Sequence, residues 1–226
     1  TSNSAPVANA GPDQTPYVNE TVTLNGGGST DVDGDLLTYT WTFTSRPANS
    51  NAILSDIYAV NPTFTIDKAG TYVVSLVVND GSVDSPPDTV TISTLNSAPV
   101  ANAGPDQSPY VTEVVTLNGA GSTDVDGDLL TYTWAFTTKP TGSSATLSDL
   151  HAVNPTFTVD KAGTYVVSLM VNDATVNSNQ ADTVTISTLN SAPVAEAGAD
   201  QSPYVTQTVT LNGAGSSDVD GDLLTY

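Results

Sequence analysis

The sequence predicts an all-β fold, a tandem array of immunoglobulin-like β-sandwiches, and three observations carry that expectation. A unit of about 93 residues recurs along the chain, apolar residues alternate with a period of two, and turn-forming residues punctuate the alternation at short intervals. The segment NSAPVANAGPDQ begins at Asn3, returns 93 residues later at Asn96, and returns again, slightly altered, 94 residues further on at Asn190. Trp41 and Trp134 keep the 93-residue offset, as do Asp31 and Asp124. The extra residue of the second copy falls where GSVDSPPDTV after Asp80 becomes ATVNSNQADTV after Asp173, a length change that an exposed loop tolerates at little cost. This spacing sets repeats at 1–94 and 95–188, with the N-terminal part of a third at 189–226.

Within one repeat each strand is read from its alternation. Val22 and Leu24 mark one strand. Leu37, Tyr39, Trp41 and Phe43 share a face of the next, with Thr38, Thr40 and Thr42 on the other. Thr63-Phe64-Thr65-Ile66 is a third. Tyr72, Val74, Leu76 and Val78 face inward from a strand that is apolar on both sides, and Val90 and Ile92 lie on the last. Gly26 to Ser29, Asp33-Gly34, Arg46 to Asn51, Lys68-Ala69-Gly70 and Pro86-Pro87 supply the turns. Seven or so short strands around one tryptophan describe an Ig-like sandwich, and Lys68-Ala69-Gly70-Thr71-Tyr72 has the form of a tyrosine corner. Trp41, Trp134, Tyr72 and Tyr165 are read as core packing and not as sugar-stacking platforms.

The run Ser29-Thr30-Asp31-Val32-Asp33-Gly34-Asp35-Leu36-Leu37-Thr38-Tyr39-Thr40-Trp41-Thr42-Phe43, followed by Asn61-Pro62-Thr63-Phe64 and by Gly70-Thr71-Tyr72 through Asn79-Asp80, resembles the PKD (polycystic kidney disease) domain family. The resemblance covers both complete repeats and the beginning of the third. It departs where the family's frequent Gly-Asp-Gly after the Trp-x-Phe segment is replaced by Thr44-Ser45-Arg46-Pro47.

The chain of 226 residues carries 24 acidic side chains against 4 basic ones, no cysteine and a formal charge of −20. With only Arg46, Lys68, Lys139 and Lys161 to meet phosphates, nucleic acid is excluded as a partner. No apolar run approaches a membrane span, and no signal peptide opens the chain, which reads as an excerpt of a longer precursor. Absence of disulfides suits a bacterial extracellular protein stapled by metal ions.

Those ions have an obvious address. Asp31, Asp33 and Asp35 recur as Asp124, Asp126 and Asp128 and as Asp218, Asp220 and Asp222. Carboxylates at every second position repel one another, and the enclosed glycine lets the backbone turn so that their oxygens converge on a hard cation. Calcium, with about six to eight oxygen ligands in a flexible shell, suits this better than magnesium, while one histidine and no cysteine argue against zinc and copper. The resemblance to calcium-binding bacterial PKD domains implies a fuller ligand set: Asn3, Ser4, Asp31, Asp33 and Asp80 in the first repeat and Asn96, Ser97, Asp124, Asp126 and Asp173 in the second. Asn190, Ser191, Asp218 and Asp220 form a partial third set. Asp35 is left as a supporting charge. The alternative is a solvated acidic turn in which Asp31 caps backbone amides.

Enzyme chemistry finds no foothold. His151 replaces Tyr58 of the first repeat and reads as a surface-loop residue, and no nucleophile, phosphate-loop or metalloprotease motif is present. Asn19-Glu20-Thr21 matches a glycosylation sequon, but the other copies lack its Asn, so it reads as chance. The expectation is a secreted or cell-surface structural region, a calcium-stabilised rod serving as adhesin stalk or filament subunit whose partners are neighbouring repeats and other copies of itself. The alternative is a spacer or substrate-binding module of a secreted hydrolase, docking on a polysaccharide or protein surface. An incomplete third repeat leaves open strand exchange with another chain, against simple truncation.

Overall fold

The computed structural model describes residues 2–226. It is all-β, with five strands in each of the first two repeats: β1 Thr21–Thr23, β2 Thr38–Ser45, β3 Thr63–Thr65, β4 Thr71–Asn79 and β5 Asp88–Ser93, then β6 Val114–Thr116, β7 Thr131–Thr138, β8 Thr156–Thr158, β9 Thr164–Asn172 and β10 Asp182–Ser187. The chain divides into two compact units. The first runs up to Ser97 and takes in Asp124–Asp128, and the second holds Ala98–Thr123 with Leu129–Tyr226.

In the first unit β2, β4 and β5 form one antiparallel sheet in the order β2-β4-β5, and β1 pairs with β3 in the other. The second unit repeats the pattern with β7-β9-β10 and β6-β8. The inward residues of the two sheets meet. Phe43 of β2 lies edge-on to Phe64 of β3 at 5.0 Å between ring centres, and Phe64 is 5.5 Å from Tyr72 of β4. Phe136, Phe157 and Tyr165 repeat the trio at 5.1 and 5.4 Å. Alternation therefore maps onto burial as the sequence implied: Tyr72, Val74, Leu76 and Val78 are fully buried, and Val90 and Ile92 close the core beside Trp41. Each such side chain contributes roughly 1.5–3 kcal/mol of apolar burial.

Fewer regular strands form than the seven or so expected. The N-terminal segment of each repeat makes only isolated bridges, Val7 to Thr30 and Gln14 to Ile92 in the first. Pro6, Pro12 and Pro16 remove donors there, so a continuous ladder cannot build. These fragments still cover the sheet margins. Gln14 donates its amide to Thr91 O at 3.0 Å and accepts from Ser93 N, sealing the outer edge of β5, while Trp41 N donates to Ile57 O at 2.9 Å on the free side of β2. The residue inserted in the second repeat falls between Ser178 and Asp182, in an exposed loop.

One glycine is dictated by close packing. A Cβ on Gly26 would lie 2.9 Å from Val60 O and 3.1 Å from the Trp41 ring, and Gly119 meets Val153 O and Trp134 in the same way. Trp41 is thus held beneath a backbone crossing, with Nε1 donating to Ala59 O at 3.0 Å. At the turn before β1 and at its counterparts in the later copies the backbone enters the left-handed region, at Asn19 (φ 72°), Thr112 (φ 78°) and Thr206 (φ 75°) respectively. Asparagine accepts that conformation more readily than a β-branched residue, which gives Asn19 a conformational reason to be there.

Tyr72 confirms the corner and adds a residue to it. Its hydroxyl accepts from Lys68 N at 3.0 Å, and its proton lies within reach of Lys68 O at 2.9 Å and Asp67 Oδ1 at 2.8 Å. Asp67 also receives Ser50 Oγ at 2.6 Å and Asn51 N at 2.5 Å. Asp160 does the same for Tyr165, Ser143 and Ser144. For Asp160 the hydrogen bond from Ser143 is the largest influence; it and the bonds from Ser144 and Tyr165 outweigh the opposing effect of burial and hold the carboxyl well below its ordinary range. A depressed folded-state pKa means stabilisation that is complete above the unfolded value of about 3.9 and disappears as pH falls through the folded one. Asp160→Asn should therefore lower the melting temperature at neutral pH and flatten its fall as pH drops below about 4, measured by circular dichroism from neutral pH down through that range.

Candidate metal centre

The acidic loop is shaped by its first aspartate. Asp31 Oδ1 accepts the amides of Asp33, Gly34 and Asp35 at 2.7, 3.0 and 3.4 Å, winding the next four residues around one oxygen. Gly34 supplies the positive φ of 84° that this turn needs. Asp124 Oδ1 gathers Asp126, Gly127 and Asp128 at 2.8, 3.1 and 3.4 Å, and Asp218 Oδ1 gathers Asp220 and Asp222 at 2.8 and 3.5 Å. The amide-capping geometry set against the metal reading is thus present, but it occupies only one oxygen of each leading aspartate.

The second aspartate is fixed by the segment that enters each repeat. Ser4 N donates to Asp33 Oδ2 at 2.7 Å, Ser97 N to Asp126 Oδ2 at 2.5 Å, and Ser191 N to Asp220 Oδ2. Asn3 Nδ2 donates to Asp80 Oδ2 at 2.9 Å, so in the first repeat the Asn-Ser pair joins the acidic loop to the turn after β4. There Asp80 Oδ1 accepts Ser82 N and Val83 N, and the Val83 amide, then the Asn3 side chain, hold its carboxyl below the usual carboxylate value. Asp173 sits in the matching turn, buried, with Oδ1 accepting Thr175 N at 2.7 Å and Val176 N at 2.6 Å. Asn96 and Asn190 each turn Nδ2 toward the carbonyl of the following serine, at 3.2 and 3.3 Å.

Four carboxylate oxygens in these loops are shut off from solvent and accept no hydrogen bond: Asp31 Oδ2, Asp124 Oδ2, Asp126 Oδ1 and Asp220 Oδ1. A buried anionic oxygen without a donor is costly, and such atoms are rare unless a water or ion meets them. That they recur in three copies of one loop, each time on an oxygen its amide partners leave over, fits a bound cation. The donors are all oxygen, as a hard cation requires. In the second copy Asp124, Asp126 and Asp128 bring carboxylate oxygens within 4.8 Å of one another. Asp128 thus joins the cluster, whereas the sequence alone assigns its counterpart Asp35 only a supporting charge. His151 is exposed, its Nδ1 2.9 Å from Tyr132 O, and stands apart from these loops in sequence.

With strands, tyrosine corner and acidic loops in place, residues 3–93 and 96–188 each match the PKD domain family. The chain belongs to the PKD domain family. PKD repeats are non-catalytic structural modules of extracellular proteins, and among the described residues no helix is long and apolar enough to cross a membrane. The chain is 28% identical over 221 residues to human dyslexia-associated protein KIAA0319, and 31% identical over 226 residues to the mouse KIAA0319-like protein. Those matches take up 94% and 96% of this chain but only 20% and 21% of the relatives. A pre-pro-metalloprotease of Vibrio cholerae, PrtV, is 32% identical over 116 residues, half of this chain and 11% of that protein. Among solved structures, the PKD domain from the KIAA 1837 protein is 27% identical, covering 46% of this chain and 99% of its own, with a TM-score of 0.36.

Proposed function

We propose that this chain is a calcium-stabilised spacer in an extracellular protein, acting as an adhesin stalk or filament shaft. The observation that carries the reading is the set of buried, undonated carboxylate oxygens on Asp31, Asp124, Asp126 and Asp220. Calcium supplies the positive charge those oxygens lack. Asp31, Asp33 and Asp80, with Asn3 and Ser4, would hold it in the first repeat; Asp124, Asp126 and Asp128, with Ser97 and Asn96, offer the matching donors in the second. Asn190, Ser191, Asp218 and Asp220 are the third set. Ser97 lies three residues after Thr94 in the connector that follows β5, so a cation gripping Asp126 restrains the connector as well as the loop. Repetition serves a spacer because stability becomes a sum of unit and neighbour contributions. The chemistry favours a secreted protein of a bacterium, where ions replace disulfides as staples.

Small-angle scattering of the intact chain tests this. Excess calcium should lengthen the maximum dimension relative to chelator, and an identical profile in both conditions contradicts the proposal. The likeness to a pre-pro-metalloprotease favours one second reading, a spacer or substrate-docking module beside a secreted hydrolase. Specific retention of the chain on insoluble polysaccharide or collagen would decide for it.

A further inference from the structure

The dipeptide Asn-Gly occurs at Asn25-Gly26, Asn118-Gly119 and Asn212-Gly213, once in each copy of the repeat. Asparagine is thermolabile, and a following glycine leaves its side chain open to attack by the next backbone nitrogen. That nitrogen bonds to the carboxamide carbon Cγ and ammonia leaves, carrying off the nitrogen's proton. Water then opens the cyclic imide at one carbonyl or the other, giving aspartate or isoaspartate. Yet both residues of the pair are needed. Asn25 Oδ1 accepts Gly27 N at 3.0 Å and shapes the turn, while a Cβ at Gly26 would lie 2.9 Å from Val60 O. Asn118 Oδ1 accepts Ala120 N at 3.0 Å, and Gly119 is confined by Val153 O in the same way.

Folding disarms the attack in both complete repeats. Gly26 N donates to Val60 O at 2.9 Å and Gly119 N to Val153 O at 2.9 Å. To attack, that nitrogen must leave the plane of its peptide, shed its proton and swing toward Cγ, which the hydrogen bond and the burial of the glycine oppose. Asn25 and Asn118 are themselves exposed, so water reaches them and geometry alone protects them. The third copy supplies the contrast within one chain. Asn212 Oδ1 still accepts Ala214 N at 2.9 Å, but among the described residues no group accepts a hydrogen bond from Gly213 N, and no counterpart of Val60 follows it in this sequence.

We propose that Asn25 and Asn118 are latent deamidation sites, held as amides by the folded repeat and converted by water to aspartate and isoaspartate when the repeat opens. Isoaspartate adds a methylene to the main chain, at the crossing where Gly26 and Gly119 pass closely over Trp41 and Trp134. A repeat altered while open cannot rebuild that crossing, so a reversible opening becomes permanent.

Long incubation of the intact chain in mildly alkaline buffer, with and without guanidinium, followed by acidic digestion and peptide mapping by mass spectrometry, tests this. In buffer alone Asn212 should convert nearly as fast as in denaturant, and Asn25 and Asn118 at least about tenfold more slowly. In denaturant all three should convert alike. Trp134→Ala, which removes the ring beneath Gly119, should raise conversion at Asn118 and leave Asn25 protected. Equal conversion of the three asparagines in buffer alone overturns the proposal, as does an Asn25 or Asn118 that stays an amide in denaturant while Asn212 converts.

Discussion

Asp124→Asn is expected to weaken calcium binding to the second repeat by about tenfold or more, equivalent to about 1.4 kcal/mol, while leaving the fold intact in chelator. Asparagine keeps an oxygen for the amides of Asp126, Gly127 and Asp128, which now donate to Asp124 Oδ1. It removes the charge from the neighbouring oxygen, the one buried with no donor. A ligand at a hundredfold excess over its dissociation constant stabilises the state that binds it by about 2.7 kcal/mol, so the calcium-dependent rise in melting temperature should shrink accordingly. Asp200→Asn, which removes an equal charge from an exposed position, should leave that rise unchanged. Equal effects of the two substitutions would show that calcium acts on overall charge and not at the loop.

Trp134→Ala should destabilise the second repeat by about 3–5 kcal/mol, because a fully buried indole leaves a cavity that the surrounding strands cannot close. The loss exceeds simple transfer of the ring. Ala152 O gives up the indole donor at 3.0 Å, and the close pass of Gly119 over the ring no longer has anything to pack on. Chemical denaturation should show a lowered midpoint for part of the transition only, with the first repeat's tryptophan fluorescence, from Trp41, unfolding as before. A single shifted transition for the whole chain would mean that the repeats unfold as one body.

Much of this architecture is legible in the sequence because burial in a sandwich follows a period of two. Tyr72, Val74, Leu76 and Val78 could be assigned inward from alternation alone, and the structure buries all four. The N-terminal strand was less legible: prolines at 6, 12 and 16 reduce it to bridges, a matter of backbone donors that an apolar pattern does not report. The acidic loop is legible through repetition of its aspartates, yet the approach of Asp128 to Asp124 and Asp126 depends on how tightly the turn winds around Asp124, which the spacing of residues does not express. Asp67 and Asp160 were missed because their partners lie 17 residues away, at Ser50 and Ser143. A signal existed: aspartate and serine persist in both repeats while the residues just before the serine change from Arg46-Pro47-Ala48-Asn49 to Lys139-Pro140-Thr141-Gly142.

Calorimetric titration of the intact chain with calcium, after exhaustive chelation and dialysis, decides whether the acidic loops hold the ion. Saturable binding of at least one calcium per complete repeat is expected, with loss of one such site in Asp124→Asn. A chain that neither releases heat nor retains calcium on dialysis at millimolar concentrations would contradict it, and the buried aspartate oxygens would then have to be met by water alone.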